Sequence, residues 1–324
     1  MNHQNQKQDK IWACLLHLSF NMWEEYISSQ RPYTGFRPYL ELDEPLWHDT
    51  IQAMAKNGLN MVVIDLGDAI LYESHPEISV RDAWSAKKLR EELKKIRDLG
   101  LEPIPKLNFS AGHDTWLKEY SRMVSTDKYY EVCANLIREV CDLFNKPRFF
   151  HIGMDEETET HQRSYKHIVI RNNDIWWGDF YYLVSQVEKN GSRSWIWSDY
   201  VWRQPELFYK KMPKSVVQSN WYYRTFDTTD ERERQYINSY IEMNRAGYDQ
   251  IPTGAYLISK YFPNLKSSEL NIGSTVDFCK KNLDDKLLFG FLQTIWAPTI
   301  EENRDWILQG ISLLGDAKKR YFSN

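Results

Sequence analysis

The sequence predicts a single (β/α)8 barrel, an α/β fold in which eight parallel strands alternate with helices. Three observations point to it. The chain has 324 residues and a mass of 38.7 kDa, a size that one large barrel fills around a single core. Eight apolar runs of strand length alternate with longer segments of helical period, the pattern of βαβ units around a parallel sheet. No internal repeat, low-complexity segment or Gly/Ser linker marks a boundary, so 1–10 reads as a flexible polar N-terminus and 11–324 as the barrel. An open doubly wound sheet is the competing architecture, but no GxGxxG or Walker pattern follows the first strand.

The elements follow in order. The first strand is Ile11–Leu16, followed by an aromatic loop through Asn21, Trp23 and Tyr33 and a helix near 44–57 that Gly58 closes. The second strand is Asn60–Asp65, after which a charged helix runs from Val80 to Leu99 and ends at Gly100. The third, Leu101–Asn108, carries Pro103 and Pro105, which remove ladder donors. A helix over Thr126–Asn145 leads to the fourth strand, Arg148–Gly153. The fifth and sixth are Ser194–Asp199 and Ser215–Trp221, with a short helix at Pro205–Lys211 between them. A helix over Glu231–Ala246 precedes the seventh, Tyr248–Thr253; another over Ser267–Asn282 precedes the eighth, Leu287–Trp296; and a last helix spans Glu301–Lys319.

Composition excludes several classes. A net charge of −4 and a pI near 6.1, with both signs scattered, offer no basic surface for nucleic acid. No apolar stretch reaches the ~18 residues of a membrane span, so the expectation is a soluble protein without a membrane partner. The N-terminus lacks the apolar core of a signal peptide, which fits a cytoplasmic chain or one exported with its signal already removed. Cys14, Cys133, Cys141 and Cys279 show no CxxC spacing and read as buried hydrophobes, not as disulfides or a zinc site. The 13 Trp and 20 Tyr are more telling: several follow predicted strands, where rings suggest a ligand surface as well as core filling. Oligomeric state is not legible.

In a (β/α)8 barrel the functional groups lie on the loops after the strands. The residues at or past each strand end are Asn21, Asp65 or Asp68, Asn108 with His113, Asp155 with Glu156, Asp199 with Trp202, Trp221 with Tyr222, and Trp296. The densest entry point is HIGMDEE, His151–Glu157, where an apolar strand ends in three consecutive carboxylates. Mutual repulsion raises the proton affinity of at least one of them, as a general acid requires. A solvated loop or a helix N-terminus would also collect acids, and Glu157 fits that description better than its neighbours. His151, Asp155, Glu156 and His161 are ligand types within eleven residues, yet the first strand offers only His17 where barrel metallohydrolases carry a histidine pair. No metal or cofactor is therefore expected.

HIGMDEE resembles the strand-four motif, His-x-Gly-x-Asp-Glu, of glycoside hydrolase family 20, the β-N-acetylhexosaminidases. KLNFSAGHDTWL at Lys106–Leu117 resembles the family's strand-three segment and WIWSDYVW at Trp195–Trp202 its strand-five Trp-x-Asp segment. NWYY at Asn220 and QTIW at Gln293 are similar to its aromatic walls. The resemblance runs from about Ile11 to Phe322, with only the strand-four motif sharp. It implies an exo-acting glycosidase with substrate-assisted retention, in which the sugar's 2-acetamido oxygen attacks the anomeric carbon. Glu156 would then be acid and base, and Asp155 would orient the acetamido group. Trp202, Trp221 and Trp296 would wall the pocket, with Tyr222 donating to the acetamido carbonyl. Asn108, His113, His151 and Asp199 complete the expected binding set, and the partner would be an oligosaccharide or glycoconjugate.

Met154 departs from the second glycine common in the family, and the α+β domain that often precedes the barrel is not seen. Lys106 and Arg203 are candidates for a rim that accepts a charged substituent. Two alternatives stay open: a two-carboxylate glycosidase pairing Glu156 with Asp199 or Asp65, and a non-catalytic carbohydrate-binding barrel.

Overall fold

The computed structural model describes residues 9–27, 33–257 and 268–322. The polar segment 1–8 and Ser267, the expected start of a helix, lie outside the described residues.

Eight parallel strands form one sheet: β1 Ile11–His17, β2 Met61–Asp65, β3 Glu102–Lys106, β4 Phe149–His151, β5 Arg193–Trp197, β6 Val217–Ser219, β7 Thr253–Ala255 and β8 Gly290–Thr294. Their order is β6-β5-β4-β3-β2-β1-β8-β7. Parallel bridges Gln218↔Gln250 and Trp221↔Thr253 join the two ends. Backbone bonds from Ile251 N to Gln218 O and from Thr253 N to Asn220 O, both 2.9 Å, complete the seam. The sheet is thus a closed (β/α)8 barrel, as the sequence predicts.

Around it lie α1 Glu44–Lys56, α2 Ala86–Asp98, α3 Asp127–Leu143, α4 Asp174–Lys189, α5 Tyr200–Arg203, α6 Pro205–Lys211, α7 Glu231–Arg245, α8 Ser268–Asn282 and α9 Arg304–Phe322. Side-chain caps start several of them: Asp43 accepts from Leu46 N, Ser85 from Lys88 N, Thr126 from Tyr129 N and Asp230 from Glu233 N. None of the described helices is long and apolar enough to cross a membrane. All four cysteines are buried and free.

Strand pleating sorts the core into two shells. Ile11, Ala13, Leu15, Met61, Val63, Ile104, Phe149 and Trp195 fill the barrel interior. The alternate residues Trp12, Cys14, Leu16, Val62, Ile64 and Phe150 pack outward against the helices.

Several elements differ from the sequence reading. The helix expected from Val80 begins at Ala86, where Ser85 caps it, and Arg81 and Trp84 before it lie in isolated bridges. β7 starts at Thr253, because Pro252 has no N–H and 248–251 joins its neighbours only by isolated bridges centred on Gln250. In β3 the even residues face β2, since Glu102 N donates to Asn60 O, whereas Leu107 N donates to His151 O of β4. Pro103 and Pro105 therefore sit on the β4 side, where the pairing is confined to Lys106↔His151, and the strand survives both. Helix α4 was not assigned from sequence. Its aromatic run puts Trp176, Trp177 and Phe180 inside but leaves Ile175 and Tyr181 exposed, which blurs the helical period.

Gly290 sits where β8 meets β1, and a Cβ there would overlap the backbone of Ile11. Since backbone cannot step aside as a side chain can, Gly290→Ala should destabilise the barrel by roughly 1–3 kcal/mol or more, read as a lowered urea midpoint.

Candidate functional site

At the C-terminal end of the strands the interior changes from apolar to charged. Lys106, fully buried, forms an ion pair with Asp65, and His17 Nδ1 lies 3.5 Å from Asp65 Oδ2. His151 is buried against Trp195 and Trp197, with ring centroids 5.2 and 4.4 Å away, and its Nδ1 accepts from Gly153 N at 3.1 Å. Burial, then the Lys106 charge, pushes the His151 pKa well below the usual histidine range. This layer is the floor of the site.

The β4 loop rises from it through a sharp turn, with positive φ at Gly153 (73°), Met154 (75°) and Glu156 (49°). Gly153 is required, because a Cβ would overlap the Asn108 side chain. Asn108 clamps the turn: its Oδ1 accepts from Ser110 N at 3.0 Å and its Nδ2 donates to Asp155 Oδ1 at 2.8 Å. Ser110 Oγ donates to the Asp155 carbonyl.

The three acids have three environments. Asp155 is 8% exposed, and His113 Nδ1 lies 3.5 Å from its Oδ1. Burial works to raise its pKa, but the His113 charge, then Lys106 and the Asn108 bond, hold the carboxyl well below its ordinary range. Reciprocally, burial opposes a charged His113, but Asp155 and then Glu156 raise it to about 9. Glu156 has a side chain 28% exposed, with His161 Nε2 at 3.1 Å and His113 Nε2 at 3.6 Å from its Oε2. Glu157 is buried in an ion pair with Arg171 and accepts from Ala111 N at 2.8 Å. Arg171 also donates to Asp179 at 2.9 Å and to Phe109 O at 3.0 Å.

Above the acids opens a cavity of about 820 Å³ lined by Asn108, His113, Asp155 and Glu156 and by the rings of Trp23, Trp197, Trp221, Tyr223 and Trp296. Trp221 stacks on Tyr223 at 4.9 Å, and Trp296 Nε1 donates to the Tyr223 hydroxyl at 3.1 Å. The loops after β1 and β4 are tied together at its side: Ser164 Oγ donates to Trp23 O and Tyr165 OH to Met22 O, each at 2.7 Å.

Six of the ten residues expected from sequence therefore line one cavity: Asn108, His113, Asp155, Glu156, Trp221 and Trp296. His151 lies in the floor. Asp199, 2% exposed, accepts from Glu156 N at 3.0 Å and supports the turn from below. Trp202 packs edge-on behind Trp221 at 4.5 Å and donates to Asn220 Oδ1. Tyr222 points away, its hydroxyl donating to Glu233 Oε2 at 3.0 Å. Past β6 the chain is still extended, so 221 and 223 share a face and 222 takes the other; the cavity-facing phenol is Tyr223. Lys106 is not at the rim, being fully buried and paired with Asp65; Arg203 is exposed, lies 3.7 Å from Asp199 and is not among the residues that line the cavity. Asp68 binds Ser19 and Asn21 at 2.6 and 3.0 Å and ties the first two loops together. Trp197, Tyr223 and His161 were not among the expected site residues. Alternation along WIWSD and NWYY could have found the first two; His161 follows an irregular loop that no period describes.

Among the described residues one trio of ligand-type side chains converges: His113, Asp155 and Glu156, with atoms within 4.8 Å of one another.

No family model matches the sequence, and no curated protein does. Solved structures do match. A family 20 β-N-acetylhexosaminidase from Streptomyces coelicolor A3(2) superposes with a TM-score of 0.63 at 13% identity, over 95% of this chain and 65% of its own. An N-acetyl-β-hexosaminidase from Streptomyces plicatus, in complex with Thio-NAglucal, gives 0.62 at 14%, over 95% and 64%. An exo β-N-acetylglucosaminidase from Vibrio harveyi, in complex with N-acetylglucosamine, gives 0.63 at 14%, over 95% and 54%. The fold is that of the family 20 barrel. The chain spans less than two thirds of these neighbours' length.

Two predictions follow from the charges. Arg171→Met leaves Glu157 and Asp179 buried without their cation and should cost about 3–5 kcal/mol of stability, measured by urea unfolding. Burial, then the Asp155 charge, raises Asp199 from 3.8 to about 7, and His113 rises from 6.5 to about 9. Both groups bind protons more tightly folded than unfolded, so their contribution is present at acid pH and lost as pH climbs through those values. Asp155, ionised in both states above about 4, leaves that slope unchanged. Buried His17 and His151, whose pKa values are lowered, bind protons less tightly folded than unfolded and oppose that slope below about 6.5, so the urea midpoint should fall between pH 7 and 9, and the stability that wild type holds over Asp199→Asn should shrink between pH 5 and 7.

Proposed function

We propose that the chain is a glycosidase that releases a terminal 2-acetamido sugar from an oligosaccharide or glycoconjugate by substrate assistance. The observation that carries this reading is the unequal treatment of two adjacent acids. Asp155 is buried, fixed by Asn108 and held as an anion beside His113; Glu156 reaches into the cavity. Solved neighbours of the same fold hold N-acetylglucosamine or Thio-NAglucal.

In the first step Glu156 gives its proton to the glycosidic oxygen while the acetamido oxygen bonds to the anomeric carbon and the bond to the leaving group breaks. The positive charge that develops on the acetamido group is stabilised by Asp155, whose ionisation is settled before substrate arrives. In the second step Glu156, now a carboxylate, takes a proton from water as the water oxygen bonds to the anomeric carbon and the acetamido C–O bond opens. Trp197, Trp221 and Trp296 offer ring faces to the sugar and the acetamido methyl, and the Tyr223 hydroxyl is the donor for the acetamido carbonyl. The tied β1 and β4 loops favour attack at a chain end. Asp65 and Asp199, the partners that a two-carboxylate mechanism would need, lie in or beneath the floor.

Nitrophenyl β-glycosides of N-acetylglucosamine and N-acetylgalactosamine should be hydrolysed and their non-acetylated counterparts spared. Glu156→Gln and Asp155→Asn should each lower kcat/KM by about 10²–10⁴-fold. Equal cleavage of plain hexosides would remove the acetamido role; binding of the sugars without turnover, on longer glycans as well, would favour a carbohydrate-binding barrel.

A further inference from the structure

Two imidazoles converge on a single oxygen of Glu156. His113 Nε2 is 3.6 Å from Oε2 and His161 Nε2 is 3.1 Å from the same atom. His161 arises from the loop after β4, lines the cavity and has a side chain one-third exposed, at 34%. Its other nitrogen, Nδ1, is 2.7 Å from Thr158 Oγ1, and that hydroxyl already accepts from His161 N at 3.4 Å. With one of its two lone pairs so engaged, the Thr158 hydroxyl is free to turn its proton to Nδ1. That orientation leaves a hydrogen on Nε2, aimed at Glu156 Oε2.

An acid can donate only from the oxygen that holds the proton. An Oε2 that accepts from His161 on one side and faces the charged His113 on the other is the poorer place for it, which leaves the proton on Oε1. We propose that His161 is a positioning residue that anchors Glu156 through Oε2 and so presents the protonated Oε1 to the leaving-group oxygen. The inference rests on the glycosidase reading above. Around Glu156 the other ionisable groups include Asp155 and His113, beside it, Asp199, under its backbone N–H, and Tyr223 in the same cavity wall; none of them supplies the Nε2 contact on the open side.

The test is a leaving-group series on the full chain: β-N-acetylglucosaminides of 2,4-dinitrophenol, 4-nitrophenol, phenol and a sugar, with wild type, His161→Ala and His161→Gln. Dinitrophenolate departs without a proton, whereas phenol and sugar need one. His161→Ala should lose roughly 10²-fold in kcat/KM on the phenyl and sugar substrates, the cost of a misplaced acid, and only about twofold on the dinitrophenyl one. His161→Gln keeps an N–H donor and should recover part of the loss on the poor leaving groups alone. A loss equal across the series, or none, overturns the anchoring role while leaving the glycosidase reading standing. A wild type that hydrolyses none of the four overturns that reading and this inference together.

Discussion

Lys106 is fully buried beneath the site, and the charge states above it follow from its presence. An ammonium inside a barrel is tolerated only beside a counter-charge, which Asp65 provides across the β2–β3 ladder. Once that pair is in place, its surroundings sort themselves by sign. His151 is kept neutral by burial and by the nearby cation, and His17 by burial despite Asp65. Asp155 is stabilised as an anion by His113 first and by Lys106 as well, and His113 gains its proton from Asp155 in spite of Lys106. The barrel interior therefore hands the cavity a negative group at one fixed point, set before any ligand arrives.

The sequence of three acids would be costly if all faced solvent-poor space together. The turn separates them. Positive φ at Met154 and Glu156 costs about 1–3 kcal/mol each for residues that are not glycine, and the structure offsets it with bonds on every side of the turn. Asn108 and Ser110 bind it from the β3 loop, Asp199 takes the Glu156 N–H from the β5 loop, and Arg171 draws Glu157 away from the cavity. Glu157 thus serves as the anchor of the strain that presents Glu156.

Much of this was legible in the sequence, because the barrel obeys simple periods. Alternation placed the strands, Gly58 and Gly100 marked helix ends, and the rule that function follows strand ends brought six of the ten expected residues to one cavity. The misses share a cause: past the strand end the period no longer tells which way a side chain points. Tyr222 and Tyr223 differ by one position, and the extended chain sends them to opposite faces. Trp202 was read as wall because it is a Trp near a strand end, but helix α5 begins at Tyr200 and turns it behind Trp221. His161 and Arg171 act through distances closed by loops of irregular backbone, and only coordinates report those. Lys106 was read as a rim candidate near the end of the third strand; its place in the inward register of β3, two residues after Ile104, points the other way.

The aromatic wall and the charged floor depend on each other. In water, an Asp155 anion would be screened and its field spent on solvent dipoles; behind rings, the same charge acts through a medium of lower effective dielectric. The rings are therefore positioned with care that packing alone does not require. Trp296 takes a left-handed backbone, φ 49°, a conformation rare for so bulky a residue, and its indole N–H is fixed on the Tyr223 hydroxyl. Trp221 stacks on that same Tyr223 and is backed by Trp202. One phenol thus joins the walls contributed by β6 and β8 across β7. A lost Tyr223 hydroxyl would free the strained Trp296 as well as remove a donor, so wall geometry and floor electrostatics would change in the same substitution.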